Sequence, residues 1–285
     1  MRLVIVTGLS GSGKSIALNT LEDQGYFCID NLPIPLLEAL ARHLIGDRDQ
    51  GYAWTAVGID ARSRPDALSR VPAVVGLLRE NGIACEVLFL EADDETLIKR
   101  FSETRRRHPL TDERRPLAEA IQTEREILGP MRTLADLQID TTHSNVHQLR
   151  DLVRERVSDR ETGRVSLLLQ SFGYKHGLPA DADFVFDARC LPNPHWRTEL
   201  RPMTGRDADV ADFLESHEDV REMRTLLAAF LDRWIPCFEA DGRSYLTVAI
   251  GCTGGQHRSV YLIEALANHL RRRGRSVLTR HRELP

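Results

Sequence analysis

Residues 8–15 are the part of the sequence whose residue types and spacing could most directly do chemistry. They fit the pattern G-x-x-x-x-G-K-[ST], with an apolar β-branched run before them and a helical pattern after them. Glycines let several backbone N–H groups point at one anion, and the following helix N-terminus adds a positive field. An ordinary Gly/Ser turn needs neither the Lys-Ser pair nor this spacing. The pattern therefore predicts a loop for nucleotide phosphates, formed by Gly8, Leu9, Ser10, Gly11, Ser12, Gly13, Lys14 and Ser15.

Polar side chains near this loop would complete a nucleotide site. Lys14 would place a charge between the β- and γ-phosphates, and the Ser15 hydroxyl would coordinate Mg²⁺. Asp60 ends an apolar run, which is the position from which an aspartate holds the Mg²⁺ shell in P-loop proteins. Asp30 also follows a short apolar strand, where a carboxylate could position Mg²⁺ or an accepting hydroxyl. A role as a turn or helix cap explains this aspartate equally well. The predicted Mg²⁺ shell is Ser15, Asp30 and Asp60.

A second glycine-rich loop, residues 251–259, follows the apolar run 245–250 and precedes a helical pattern that Gly274 would end. The order of strand, glycine turn and helix again predicts an anion site. Cys252 and Arg258 also match the C-x5-R-[ST] spacing of cysteine phosphatases. Gly251 stands where those enzymes usually carry histidine, and no general acid is identifiable. Phosphate binding without a cysteine nucleophile is the preferred interpretation, and phosphatase chemistry is the alternative.

Two basic segments have a structural and a functional interpretation. The first would be a solvated helix face or a kinase-type lid closing over phosphates, and it contains Lys99, Arg100, Arg105, Arg106, Arg107, Arg114 and Arg115. The second would neutralise RNA phosphates or stabilise a helix C-terminus, and it contains Arg271, Arg272, Arg273, Arg275, Arg280 and Arg282. Residue types alone favour the structural interpretation for this second cluster.

The elements that position these residues read as two parallel α/β sheets. In the first half, strands are predicted at residues 4–6, 26–29, 54–59, 85–90 and 137–140, with a helix over 36–44. A last helix there would be capped by Ser144 and would turn Val146, Leu149, Val153 and Val157 inward. In the second half, strands are predicted at 165–169, 184–186 and 245–250.

Length and composition set the wider limits. The 285 residues suffice for two domains, which we predict at 1–157 and 165–285 with a charged linker at 158–164. A net charge of −4 gives no whole-surface attraction to nucleic acid. Five widely spaced cysteines without a C-x-x-C pair argue against a disulfide framework and a structural metal. The N-terminal apolar run is too short for a signal peptide and no run would span a bilayer, so we expect a cytoplasmic protein without membrane contact.

The sequence resembles the RapZ/YvcJ family over nearly its whole length. The resemblance is carried by residues 8–15, 22–23, 28–33, 171–177, 191–196, 201–205 and 251–259. It implies an N-terminal P-loop kinase-like domain that binds ATP and GTP with Mg²⁺ and hydrolyses them weakly. Residues 8–15 would bind ATP, and the family's GTP position corresponds to Asp60, Ala61, Arg62 and Ser63. No N-K-x-D guanine signature is present, so the residues themselves indicate no base preference.

The resemblance further implies a C-terminal phosphosugar-binding fold. In the RNA-adaptor branch this domain binds small regulatory RNAs, presents them to an endoribonuclease and senses glucosamine-6-phosphate. The corresponding sugar-phosphate ligands are His195, Thr253, Gly254, His257 and Arg258. Adaptor members end in a Lys/Arg-rich tail, whereas here Arg282 is followed by Glu283, Leu284 and Pro285.

The leading hypothesis is therefore a homo-oligomeric regulatory nucleotide-binding protein that acts as an RNase adapter. The alternatives are a small-molecule kinase using Asp30 and the arginine lid, or a phosphatase-like phosphosugar enzyme.

Overall fold

The computed structural model describes residues 1–46, 52–62, 65–104, 107–111, 115–158 and 165–284. The chain forms two compact units, Met1–Asp159 and Arg160–Pro285. Of the predicted linker, residues 159–164 lie outside the described residues, as do Ser63, Arg105, Arg106 and Arg114.

The first unit is built on a parallel sheet. Its strands are β1 (Arg2–Gly8), β2 (Phe27–Ile29), β3 (Trp54–Gly58), β4 (Ala84–Glu91) and β5 (Leu137–Asp140). They lie side by side in the order β2-β3-β1-β4-β5, and every pair is parallel. The central strand β1 is buried from Leu3 to Gly8, as expected for a strand covered on both faces. This confirms the predicted α/β class and places the phosphate loop at the carboxyl end of the central strand.

Eight helices of the described first unit accompany this sheet. They are α1 (Lys14–Asp23), α2 (Ile34–Gly46), α3 (Pro65–Leu68), α4 (Val71–Glu80), α5 (Asp94–Thr104), α6 (Leu117–Ile127), α7 (Gly129–Leu134) and α8 (Val146–Val153). A π-helical turn, Arg154–Ser158, continues α8. Residues 67–68, 71–80 and 117–134 had carried no helix prediction.

The predicted start of α8 is wrong by one residue. Asn145, and not Ser144, is the N-cap, because its side-chain oxygen accepts from the Gln148 backbone N–H at 2.9 Å. The Gln148 side chain accepts from the Asn145 N–H in return at 3.0 Å, which completes a capping box. Val146 is also not inward, since 45% of its surface is exposed.

The second unit has a parallel sheet of its own. Its strands are β6 (Ser166–Gly173), β7 (Phe184–Asp187), β8 (Tyr245–Cys252) and β9 (Val277–His281), in the order β7-β8-β6-β9. Its helices are α9 (Ala208–Glu215), α10 (Glu218–Ala240) and α11 (Arg258–Arg272). All strand pairs are parallel, so the loops that follow the strands meet at one edge of the sheet. This confirms the second predicted α/β sheet.

Within the described ranges, no helix is both long and apolar enough to cross a membrane.

Candidate functional site

The phosphate loop joins β1 to α1, and its glycines are required by the backbone. Gly8 has a φ of 134°, and a Cβ added there would lie 2.0 Å from the Leu90 carbonyl oxygen. Gly13 has a φ of 108°, and its added Cβ would lie 2.5 Å from Leu149 Cδ2. L-residues with side chains rarely adopt such φ values, and neither position has room for one. The loop shape therefore depends on these glycines.

Several amides of the loop are available to a ligand. The N–H groups of Leu9 and Ser12 donate to the carbonyls of Leu90 and Leu9. By contrast, the N–H groups of Gly11, Gly13, Lys14 and Ser15 have no acceptor among the residues that the structure describes. Such a group of converging donors at a helix N-terminus is an anion site.

Lys14 lies within this loop. Its ammonium donates to the Gly8 carbonyl at 2.6 Å. Burial lowers its pKa below the ordinary value, although the carboxylates of Glu124, Asp60 and Asp30 act in the opposite direction. The ammonium is thus desolvated and poorly neutralised by hydrogen bonds, which makes a phosphate a favourable partner.

A buried carboxylate from α6 supports the loop from within. Glu124 is fully buried and its Oε2 accepts from the Ser10 backbone N–H at 2.8 Å, while Oε1 accepts from Ser10 Oγ at 2.7 Å. His108 Nε2 lies 3.1 Å from Oε2. Burial alone would raise the Glu124 pKa, but bonds from His108 and Ser10 and the Lys14 charge hold the pKa below its ordinary value.

Sequence reasoning had not identified Glu124 or His108 as part of the site. Glu124 is 114 residues from Ser10, and no local motif marks an acidic residue within α6. Their role depends on a long-range contact, which a single sequence does not reveal.

Asp60 lies beside the loop but is already engaged. Its carboxylate accepts from the Arg62 backbone N–H at 2.9 Å and from Arg62 Nε at 2.7 Å. The Asn31 side-chain amide, oriented to donate, lies 3.1 Å from both Asp60 oxygens. Ala61 is buried, and Ser63 of the predicted GTP set is outside the described residues.

The remaining members of the predicted Mg²⁺ shell are accessible. The structure leaves Ser15 and Asp30 exposed, and Asp30 acts electrostatically on Lys14. Oxygen ligands are what Mg²⁺ prefers, and it usually keeps several waters and phosphate oxygens. Ser15 and Asp30 offer oxygen atoms of the kind that Mg²⁺ takes, whereas Asp60 is engaged by Arg62. Among the described residues, no group of three His, Cys, Asp or Glu side chains forms a metal site.

Arg100, a member of the first basic segment, is bonded to the phosphate loop itself. Arg100 donates to the Gly11 carbonyl at 3.0 Å and to Thr141 Oγ1 and O at 3.0 and 2.6 Å. Thr141 Oγ1 in turn lies 3.0 Å from the Ser12 carbonyl. Arg100 therefore supports the loop backbone in this structure. Lys99 and Arg107 are exposed, and Arg115 is half-buried.

The second loop, after β8, also presents unbonded amides. The N–H groups of Gly254, Gln256, His257 and Arg258 donate to no acceptor within the part of the chain that the structure describes. Gly173, at the end of β6, comes so close that an added Cβ would lie 2.8 Å from the Gly254 carbonyl carbon. The geometry matches the predicted anion loop.

Arg258 supplies a buried cation to this loop. Only 4% of it is exposed, and Nη1 donates to the carbonyls of Arg189 and Leu191 at 2.9 and 3.1 Å. Nη2 donates to Thr253 Oγ1 at 3.3 Å. Its Nε is buried and has no hydrogen-bond partner in the described residues. A buried donor without an acceptor is costly, so this N–H is a candidate contact for a bound anion.

The predicted histidines lie together at the same loop. The ring centroids of His195 and His257 are 6.3 Å apart. His195 is exposed, whereas His257 is buried and its Nε2 lies 3.2 Å from the Leu200 carbonyl. Burial lowers the His257 pKa, so its ring is neutral at neutral pH.

Lys175 is a further cation that the site predictions omitted. Its Cε and Nζ lie 3.9 Å from the position of a Cβ on Gly254, and its backbone N–H donates to the Thr253 carbonyl at 3.3 Å. Its place directly after β6, within the motif 171–177, was the signal that would have identified it. The structure thus brings Thr253, Gly254, His257, Arg258, His195 and Lys175 to one edge of the sheet.

The Cys252 thiol lies beneath this loop. Its Sγ accepts from the Gly255 N–H at 3.2 Å and lies 3.2 Å from Ser259 Oγ. Burial would raise its pKa, but the bonds from Ser259 and Gly255 and the Arg258 charge lower the pKa overall. Only 2% of the residue is exposed, so a substrate would not reach the sulfur without movement of the loop.

The six arginines of the predicted RNA cluster do not form one surface. Arg271, Arg272, Arg273 and Arg275 lie where α11 ends and before β9 begins, while Arg280 and Arg282 lie at the opposite end of β9. Arg273 and Arg275 pair with Asp232 and Glu239. Arg271 donates to the Val277 carbonyl, and Arg282 donates to the Gly177 carbonyl.

Two domain families match this chain. The RapZ-like N-terminal domain matches residues 1–161, and the RapZ C-terminal domain matches residues 165–285. A curated nucleotide-binding protein of Methylococcus capsulatus is 59% identical over 285 residues, covering 100% of this chain and 97% of that protein. Another, of Thioalkalivibrio sulfidiphilus, is 55% identical and covers 100% of both chains.

Solved structures are more distant. Shikimate kinase from Acinetobacter baumannii, in complex with shikimate, is 16% identical with a TM-score of 0.37, covering 54% of this chain and 90% of that chain. A sugar kinase from Janibacter sp. is 19% identical with a TM-score of 0.35, covering 54% of this chain and 92% of that chain. The two domain matches and the full-length relatives confirm the family resemblance that the sequence motifs indicated, and the chain belongs to the RapZ family.

Proposed function

We propose that this protein is a regulatory nucleotide-binding protein whose first unit binds ATP or GTP with Mg²⁺ at residues 8–15. The observation that carries the proposal is the set of unbonded loop amides around a desolvated Lys14. The full-length relatives, which are named nucleotide-binding proteins, support it.

Hydrolysis at this site would be weak. An efficient phosphoryl-transfer site needs cations that are free to stabilise the transition state. Here Asp60 is paired with Arg62, and the Arg100 guanidinium is bonded to Gly11 and Thr141. The bound nucleotide would therefore act mainly as a regulatory ligand and less as a source of free energy from hydrolysis.

The second unit would bind a sugar phosphate, with glucosamine-6-phosphate as the proposed ligand. The amides of residues 254 and 256–258 and the unpartnered Arg258 Nε would hold the phosphate. Exposed arginines of the same unit would contact small regulatory RNA, which the protein would present to an endoribonuclease as an adapter. Arg272 is exposed and has no ion-pair partner among the described residues, so it is the best candidate for such a contact.

Calorimetry on the full-length protein tests the nucleotide site. ATP and GTP should bind to the parent, and Lys14→Ala should lose at least about tenfold in affinity, since a charge-assisted contact contributes about 1.5–3 kcal/mol. Lys99→Ala, which removes an exposed lysine of α5, is the control and should bind as the parent does. Unchanged affinity of Lys14→Ala would refute the site.

A thermal-shift panel on the full-length protein tests the second loop. Glucosamine-6-phosphate, glucose-6-phosphate, inorganic phosphate and glucosamine should be compared. Stabilisation by the phosphorylated sugars and none by glucosamine is the expected result. A panel in which no phosphate compound raises the melting temperature would contradict the proposal.

A small-molecule kinase is the second candidate. The exposed Asp30 carboxylate, close enough to act on the Lys14 charge, favours it because such a group would orient an acceptor hydroxyl. Nucleotide turnover that accelerates strongly on addition of an acceptor would support the kinase. Slow turnover that no acceptor accelerates would support the regulator.

A further inference from the structure

Glu124 places a negative charge under a loop that is otherwise built for anions. Its carboxylate is fully buried and bonded to Ser10 and His108, so it is screened less than an exposed charge would be. Among the groups that act on the Lys14 ammonium, Glu124 is the strongest, followed by Asp60, Asp30 and the like-charged Arg62.

The protonation of this cluster follows from its hydrogen bonds. His108 Nδ1 accepts from the Leu110 N–H at 3.2 Å, so Nε2 carries the proton and donates to Glu124. A neutral imidazole cannot compensate the carboxylate. The charge of Glu124 is therefore balanced mainly by Lys14, the same cation that would receive the nucleotide phosphates.

We propose that Glu124 is a specificity-determining residue that limits how strongly the loop favours a γ-phosphate. The inference rests on the proposed nucleotide function of the loop. Lys14 reaches the β- and γ-phosphates in loops of this pattern, so a charge that acts on Lys14 also acts on the terminal phosphates. A triphosphate adds negative charge at that end, and the repulsion from Glu124 offsets part of what Lys14 gains. The γ-phosphate should therefore add less affinity in the parent protein than in a variant without this buried charge.

The substitution Glu124→Gln removes the charge with little change in contacts, because the amide keeps a bond to each present partner and only the bond with Ser10 Oγ reverses its direction. The Gln oxygen would replace Oε2, which accepts from both the Ser10 N–H and His108 Nε2. The Gln nitrogen would replace Oε1 and donate to Ser10 Oγ. Glu119→Gln is the matched control, since it removes the same charge from an exposed position of α6.

The experiment is calorimetry of ADP and ATP binding without Mg²⁺, on full-length parent, Glu124→Gln and Glu119→Gln. Glu124→Gln should bind ATP more tightly and raise the ratio of ATP to ADP affinity at least about fivefold, as expected for loss of one poorly screened charge. Glu119→Gln should leave the ratio unchanged. An unchanged or lower ratio in a folded Glu124→Gln protein overturns the inference.

A measurement on the parent alone covers the case in which Glu124→Gln does not fold. ATP carrying a methyl ester on its γ-phosphate has one charge fewer, and the parent should bind it less than about tenfold more weakly than ATP, because Glu124 offsets part of the attraction on that charge. Tenfold weaker binding of the ester would contradict the inference. If the parent binds no nucleotide, the proposed function fails and the inference fails with it. If binding depends on Lys14 but not on the Glu124 charge, the inference alone fails.

Discussion

The ring of Phe172 fills the space that a side chain at Gly251 would need. A Cβ added to Gly251 would lie 2.4 Å from Phe172 Cζ and 2.5 Å from Tyr174 Cε2. Phe172 and Tyr174 pack against each other with ring centroids 4.9 Å apart. Histidine, which cysteine phosphatases usually carry at this place, has no room here, and this favours anion binding over thiolate catalysis at the loop.

Gly251→Ala should therefore destabilise the protein by about 1–3 kcal/mol, because the added methyl forces both rings to move. Chemical denaturation followed by circular dichroism measures this change. Gly254→Ala, in the same loop, is the control, since its added Cβ would come no closer than 3.9 Å to Lys175. Equal stability of the two variants would show that the rings do not confine residue 251.

Cys252→Ser should change how stability depends on pH. The folded pKa of Cys252 lies below its unfolded value of 9.0, so the unfolded chain binds more protons between these two values. Stability from this thiolate is fully present above pH 9 and is lost as pH falls through the folded pKa. The melting temperature of the parent minus that of Cys252→Ser should therefore increase as pH rises towards 9. A constant difference would contradict a thiolate in the folded state.

The same variant tests the phosphatase alternative. Cys252→Ser should still be stabilised by sugar phosphate, because the amides and Arg258 hold the ligand in our account. Hydrolysis of a phosphate ester by the parent that disappears in a folded Cys252→Ser protein would favour the phosphatase.

Arg100→Met should weaken both the loop and its ligand. The guanidinium bonds to Gly11 and Thr141 would be lost, which costs about 1–3 kcal/mol of stability because the carbonyl of the buried Thr141 loses a charged donor. Nucleotide affinity should fall because the loop is less fixed. Lys99→Met, one residue earlier and exposed, should change neither quantity. A normal melting temperature with lost nucleotide binding would instead favour the lid.

Arg272 and Arg275 should respond differently in an RNA gel shift. Arg275 pairs with Glu239 at 2.9 Å, so Arg275→Ala should have little effect on the salt dependence of binding. Arg272→Ala should reduce the slope of log affinity against log salt by about one, as loss of one phosphate contact does. Identical slopes for both variants would remove Arg272 from the RNA surface.

The sequence predicted those parts of the fold and site that depend on local pattern. The strand before Gly8 and the strand before Gly251 are continuous apolar runs, and both precede a glycine turn and a helix. Such features need no knowledge of distant residues. The α/β class of both halves followed from them.

The parts that sequence reasoning missed depend on long-range contacts. Glu124 and Arg100 reach the phosphate loop from α6 and α5, through bonds to Ser10 and Gly11 that no local pattern marks. Similarly, the arginines near the C-terminus form one cluster in sequence, but β9 carries Arg280 and Arg282 to the opposite end of the sheet from Arg272. The N-cap of α8 differs from the predicted residue because serine and asparagine are both good N-caps. The bond to the Gln148 backbone N–H selects Asn145 over Ser144.

The central claim is that the two units each hold a phosphoryl group in a cradle of backbone amides backed by a cation. The most direct test is calorimetric titration of full-length Lys14→Ala and Arg258→Met, each with ATP and with glucosamine-6-phosphate, after circular dichroism shows both to be folded. We predict a crossed result: Lys14→Ala loses ATP and keeps the sugar phosphate, and Arg258→Met does the reverse. Loss of both ligands in either variant, or of neither ligand in both, would contradict the account.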